Sequence, residues 1–272
     1  MNDGAPPSGA DDPLDAIRRE IEGIDATLMS LIAERLKLAD NLSQAKIPPP
    51  GLPIQPGREV TLLRALIAKA PAPLERETVV EIWRALIAAG WRRNKLIDVV
   101  VGGARGDPTR LFDLARRHFG ARTRISHVGE AQEALVRAAD APDRCVAVTP
   151  WPAAPGVGSW WPALTERRFH DLHLIAGLPL LGEGADPEAC VFASAANQAA
   201  GGDVSLLLAF DQHHRAQRAL NEVGVKGREV ARSEPRVLLR IEDFLGVDDP
   251  RVAALTGAGL EGARVLGSYA RV

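Results

Sequence analysis

The chain has 272 residues, which as a prior means about two domains, and its 46% hydrophobic content is enough for ordinary cores. A formal charge of −2 argues against nucleic-acid or acidic-membrane partners, and no apolar run reaches membrane-spanning length. Cys145 and Cys190 sit among small or apolar residues without metal-ligand spacing, so the expectation is reduced, buried thiols, no metal or cofactor, and a cytoplasmic location.

Residues 1–12, MNDGAPPSGADD, read as a disordered polar tail that lacks the basic and apolar regions of a secretion signal. From Leu14 to Lys46 the apolar positions Ile17, Ile21, Ile24, Leu28, Leu31, Leu38 and Leu42 step by four and three, which is the stripe of a helix. At ~1.5 Å per residue that helix is on the order of 45–50 Å long, more than a compact domain of this size needs, so it is expected to bury its stripe against a second copy. Arg35 lies on the stripe and Lys46 falls on the same face. A buried cation is costly unless an anion meets it. Arg35 therefore snorkels to water, pairs with a partner helix, or awaits an anionic guest.

The loop PPPGLPIQPG ends the first helix. A second helix is expected from about Arg58, with Leu62, Leu63, Leu66 and Ile67 inward, until Pro71 and Pro73 stop it. A third, about Glu75 to Arg93, places Val79, Ile82, Trp83, Leu86 and Ile87 on one side. Residues 13–94 thus read as an all-helical unit.

This stretch, LDAIRREIEGIDATLMSLIAERLKLADNLSQAK followed by PIQPGRE, resembles the all-helical class of chorismate mutases. The positions that match the family pattern are Arg18, Arg35, Lys46, Arg58 and Glu59. The resemblance implies an intertwined homodimer in which the long helix lends an arginine to the partner's site. It further implies that the substrate is chorismate, rearranged to prephenate without a nucleophile. On that pattern Arg18 (from the partner) and Arg35 clamp carboxylates with Arg58 nearby, Lys46 donates to the ether oxygen, and Glu59 accepts from the substrate hydroxyl. The family's third-helix serine and glutamine fall on Gly90 and Asn94, so one hydroxyl is lost and the amide is a methylene shorter.

Residues 95–200 change to alternating strands and helices: LIDVVVGG, DPTRLFDLARRHFG, CVAVTPW and LHLIAG fit a small α/β segment. The loop GGARGDPTR reads as a plain strand-to-helix turn rather than an anion cradle, and the tryptophans of WPAAPGVGSWWP as packing under a long connection. Residues 201–272 follow the order β-α-β-β-α-β through VSLLLAF, HHRAQRALNEVG, GREVARS, PRVLLRIEDF, PRVAALTGAG and ARVLGSYARV, which is ferredoxin-like. This end resembles the ACT regulatory domain of bifunctional chorismate mutase–prephenate dehydratases, most of all in ARVLGSY and IEDFLGVDDPRV.

The overall expectation is a multidomain chain: a three-helix chorismate mutase domain, a shortened dehydratase-like segment and an ACT-like domain. EACVFAS stands where the family's Thr-Arg-Phe motif belongs, so dehydration is not expected. Ser233 and Pro235 keep approximate register with an amino-acid effector site. The alternatives are a true bifunctional enzyme, or a non-catalytic dimeric partner that senses an amino acid.

Overall fold

The computed structural model describes residues 12–45, 51–103, 107–153, 156, 158–182, 184 and 186–272, with side chains in the first span described as far as residue 41. The chain divides into two units, residues 1–47 and residues 48–272. In the first, helix α1 runs Pro13–Ala45, 33 residues, as the four-three stripe dictates. Ile17, Ile21, Ile24, Leu28 and Leu31 along that stripe are each 49–56% exposed. Arg35 is partly buried. Lys46 lies outside the described residues.

The second unit opens with α2 (Pro56–Ile67) and α3 (Arg76–Asn94). Helix α2 starts two residues before the expected Arg58, because Pro56 fits the first turn where its missing N–H costs nothing. Leu63 of its expected inward set is fully buried, whereas Leu62, Leu66 and Ile67 are partly covered. On α3 the buried residues are Val79, Val80, Arg84, Ala88 and Trp91. Ile82, expected inward, is 42% exposed; the buried stripe runs instead through Val80, Arg84, Ala88 and Trp91, spaced four, four and three.

The remaining elements are β1 (Asp98–Gly102), α4 (Thr109–Phe119), β2 (Arg124–Val128), α5 (Ala131–Asp140), β3 (Cys145–Pro150), β4 (His173–Leu178) and β5 (Ala189–Ala193). Then come β6 (Val204–Phe210), α6 (Ala216–Val223), β7 (Gly227–Ser233), β8 (Arg236–Ile241), α7 (Pro250–Gly257) and β9 (Glu261–Tyr269). The last six keep the β-α-β-β-α-β order read from the sequence. All nine strands form one sheet in the order β2-β1-β3-β5-β4-β9-β6-β8-β7. The segment expected to be a small α/β layer and the one expected to be ferredoxin-like therefore share a single sheet.

Strands β1, β2 and β3 are parallel, as the crossovers through α4 and α5 require, and the others are antiparallel except at the β4–β9 seam. That seam pairs Leu174 with Gly267. A Cβ on Gly267 would lie 2.3 Å from the Leu174 carbonyl oxygen, so only glycine lets the two backbones meet.

Alternation along the strands sorts the core. Val99, Val101, Val146 and Val148 face Leu63, Val80, Trp91, Leu114 and Phe119 of α2, α3 and α4. Val100, Ala147 and Phe192 face α5 and the tryptophan loop on the other side. There Trp161 is fully buried and its Nε1 donates to the Ala153 carbonyl (3.2 Å), while Trp160 donates to Pro150 (3.0 Å). The tryptophans pack, as expected. Cys145 and Cys190 are buried and free, and burial raises both thiols, Cys145 to about 11.

Candidate active site

Apart from Lys46, which lies outside the described residues, the residues of the family pattern fall on three helices. On α1, Arg18 is exposed and its Nη1 donates to Asp15 Oδ1 at 2.9 Å. Arg35 sits on the apolar stripe, and burial lowers its basicity. The two are roughly 26 Å apart along the axis at ~1.5 Å per residue, farther than a small dicarboxylate spans. Arg18 and Arg35 of one copy cannot grip the same small molecule.

On α2, Arg58 is exposed and Glu59 is buried side by side with it in the first turns. A carboxylate there suits the positive end of the helix. Glu59 Oε1 reaches back to accept from the Gln55 backbone N–H at 3.0 Å, which satisfies one of the helix's orphan donors. Its Oε2 accepts from Arg84 Nη1 of α3 at 2.7 Å, with the two side chains 11% and 3% exposed. Burial pushes the Glu59 acid up from its ordinary range, and the Arg84 charge and hydrogen bond oppose that shift.

Arg84 is held on further sides. Its Nε and Nη2 both donate to the His118 carbonyl at the end of α4, at 2.9 and 2.6 Å, and its guanidinium lies 4.9 Å from the Trp91 ring centroid. His118 is buried, its Nδ1 has no partner among the described residues, and burial together with Arg84 keeps the imidazole well below its ordinary pKa. It is neutral at physiological pH. Beside Glu59 the space is about 10 Å³, room for a single water. Across Arg84 and His118 opens a cavity of about 190 Å³, walled by Val80, Leu114, Leu178 and Leu181 with Glu77, Glu81 and Arg117 also on its lining.

On α3, Gly90 is partly buried, and a Cβ there would meet nothing within 4 Å. Asn94 is exposed and its Nδ2 donates back to the Gly90 carbonyl at 2.9 Å. Of the sequence-derived set, then, Arg58 and Glu59 adjoin on α2, and Gly90 and Asn94 bond on α3. Arg84 and His118 were not anticipated. The signal for Arg84 was present: a cation four residues after Val80 and four before Ala88 is on the buried stripe, just as Arg35 is on its own.

The α2 helix is also tied to the far end of the chain. Arg64 Nε donates to the Arg271 carbonyl at 2.9 Å and Nη1 to the Ala200 carbonyl at 3.0 Å, with further bonds to Arg271 and Gly201. Gly57 fits closely beneath residues 198–199: a Cβ there would lie 2.7 Å from the Ala199 carbonyl oxygen. Among the described residues no group of acidic, histidine and cysteine side chains could hold a metal ion, and no helix is long and apolar enough to cross a membrane.

The helical part of this chain has a recognisable class: residues 17–95 match the family model for chorismate mutase type II. That span holds Arg18, Arg35, Lys46, Arg58, Glu59, Gly90 and Asn94. A bifunctional chorismate mutase/prephenate dehydratase from Pseudomonas aeruginosa is 28% identical over 114 residues, covering 40% of this chain and 31% of the relative. The match therefore spans about a third of that relative's length.

Among solved structures, prephenate dehydratase from Streptococcus mutans aligns with 64% of this chain and 98% of its own, at 15% identity and a TM-score of 0.42. Prephenate dehydratase from Arthrobacter aurescens, in complex with L-Phe, covers 64% and 90% at 13% identity and a TM-score of 0.43. The quorum quenching acylase GqqA covers 64% and 95% at 13% identity and a TM-score of 0.42. The family-model match over residues 17–95 and the Pseudomonas aeruginosa relative support the suspected resemblance of this chain to the bifunctional mutase–dehydratase family.

Proposed function

We propose that the protein is a chorismate mutase that converts chorismate to prephenate as a homodimer. The observation that carries this is the match of residues 17–95 to the mutase family, together with a cation, Arg35, on the apolar stripe of α1. The reaction is a pericyclic shift, so the protein's task is to hold two carboxylates while the reacting carbons meet, and to stabilise negative charge growing on the ether oxygen. Arginine suits the first task because its planar fork binds carboxylate bidentately. Arg35 of one copy and Arg18 of the other take that role, with Arg58 adding positive charge. Lys46 donates to the ether oxygen. Glu59 accepts from the substrate hydroxyl, and Gly90 and Asn94 occupy the places of the usual third-helix contacts.

Dimerisation follows from the same helix. A stripe of five aliphatic residues, each about half exposed over several turns, is more than an isolated helix leaves to water. A second α1 is its natural cover, and the distance between Arg18 and Arg35 supports a site built from two copies. The ACT-like half contributes to assembly, stability or regulation.

The second reading is a bifunctional enzyme, favoured by the similarity to the bifunctional chorismate mutase/prephenate dehydratase of Pseudomonas aeruginosa. The deciding experiment is chorismate consumption by ultraviolet absorbance on purified protein, with product analysis under acidic and neutral conditions and the mass in solution measured in parallel. Prephenate from a dimer supports the proposal. Phenylpyruvate formed at neutral pH supports the bifunctional reading. No turnover leaves a dimeric partner or amino-acid sensor, for which a thermal-shift screen against the twenty amino acids is the test: a ligand at 100 times its dissociation constant adds about 2.7 kcal/mol.

A further inference from the structure

We propose that Arg84 is a positioning residue for the rearrangement, holding Glu59 from the neighbouring helix in the one orientation in which it serves as hydroxyl acceptor. The inference rests on the mutase function just proposed, and it adds a residue that the family pattern read from the sequence does not contain. The geometry carries it. Arg84 is 3% exposed at its side chain, and Glu59 is the carboxylate it pairs with. Of its five N–H donors, three are spent: two on the His118 carbonyl and one on Glu59 Oε2. The two bonds to His118 and the Trp91 ring beneath fix the plane of the fork, so the third bond fixes where Oε2 sits. The Gln55 N–H fixes Oε1 from the other side. Each oxygen keeps a lone pair in a defined direction.

The same contacts decide its charge. The small space beside Glu59 is lined by apolar residues, among them Ile54, Leu63, Ile175 and Leu180, plus Arg84 from α3 and His118 from α4. Arg58, next to it on α2, points to solvent. With His118 neutral, Arg84 is, among the described residues, the positive charge set against the desolvation of this carboxylate. A protonated Glu59 would offer an O–H where the reaction needs an acceptor.

The test uses the full chain carrying Arg84→Met, Arg84→Lys or Glu59→Gln. Two quantities are read: kcat and KM across pH, and the Glu59 carboxyl titration by carbon-13 NMR on glutamate-labelled protein, with Glu59→Gln assigning the signal. In Arg84→Met the acid limb of kcat should move up by about one to three pH units, since an opposite charge at this range shifts a carboxyl by that much, and the NMR titration should move with it. Arg84→Lys restores the charge but not the fork. It should return the pH midpoint toward wild type while kcat stays low, and if Arg84→Met does not fold, this split is the deciding result. A purely structural arginine would lower the yield of folded protein and leave the midpoint of what remains unchanged. That outcome, or a Glu59 titration identical in both proteins, overturns the proposal. If the wild type turns over no chorismate at any pH, the mutase reading fails, and the NMR titration alone then decides whether Arg84 sets the state of Glu59.

Discussion

Arg64→Met isolates how strongly α2 is fastened to the end of the chain. Methionine keeps the aliphatic stem and the helix propensity while removing four hydrogen bonds to the carbonyls of Ala200, Gly201 and Arg271. A hydrogen bond from a charged donor contributes about 1.5–3 kcal/mol. Arg64 is only partly buried, so water compensates part of each loss, and two of its bonds share the Arg271 oxygen. Counting about 1 kcal/mol per orphaned carbonyl gives a loss of about 3 kcal/mol, a large share of the 5–15 kcal/mol typical of a folded domain. The five tryptophans lie at positions 83, 91, 151, 160 and 161, all in the unit to which Arg64 belongs, so their fluorescence reports its urea unfolding. At a slope of about 2–3 kcal/mol per molar urea, the midpoint should fall by roughly 1–1.5 M. A shift equivalent to less than about 0.5 kcal/mol, the range of an ordinary surface substitution, would refute the idea that these carbonyls anchor α2.

Arg35→Ala should abolish most chorismate turnover while the solution mass stays that of a dimer; undiminished turnover would make Arg35 structural. Leu28→Asp places a charge in the middle of the α1 stripe, where burial of each leucine is worth about 1.5–3 kcal/mol, and should shift the proposed dimer to monomer in sedimentation, with activity lost in step. A dimer as tight as wild type would mean that another surface joins the copies. His118→Phe should flatten the acid side of the stability curve. The folded chain holds His118 well below 6.5, so the unfolded chain takes up the proton first. Stability from this group is complete above pH 6.5 and drains away as pH falls below it, so the wild type should lose stability on the acid side where the variant does not. Equal pH dependence in the variant and the wild type would contradict a buried neutral imidazole.

The sequence and the structure agree where a single periodicity governs. The four-three spacing from Ile17 to Leu38 sufficed for α1, and alternation with turn residues sufficed for the six elements from Val204 to Tyr269. On α3 the pattern was ambiguous: Ile82, Leu86 and Ile87 form a plausible apolar face, but the sheet takes the neighbouring one, through Val80, Arg84, Ala88 and Trp91. Hydrophobicity alone cannot choose between adjacent faces of a helix that is apolar over most of its girth. Arg84 was thus passed over, although a cation on that stripe carries the same message as Arg35. The contacts of Glu59 were illegible for a different reason. Its bond to the Gln55 N–H is local to α2, but the one to Arg84, and through Arg84 to the His118 carbonyl, joins positions that meet only because α3 packs against both α2 and α4.

The Leu174–Gly267 pairing has a consequence for how the molecule could be shortened. Two strands that share backbone bonds across a seam are not beads on a string. Cutting after residue 200 would strip β4 of its neighbour and leave a raw strand edge, open to whatever unpaired strand it met next. The same cut would take away the Arg271 and Gly201 oxygens that grip Arg64, loosening the helix that bears Glu59. Whatever chemistry the carboxy-terminal stretch performs, it is no independent appendage, because the fold uses it to cover the β4 edge of its own sheet.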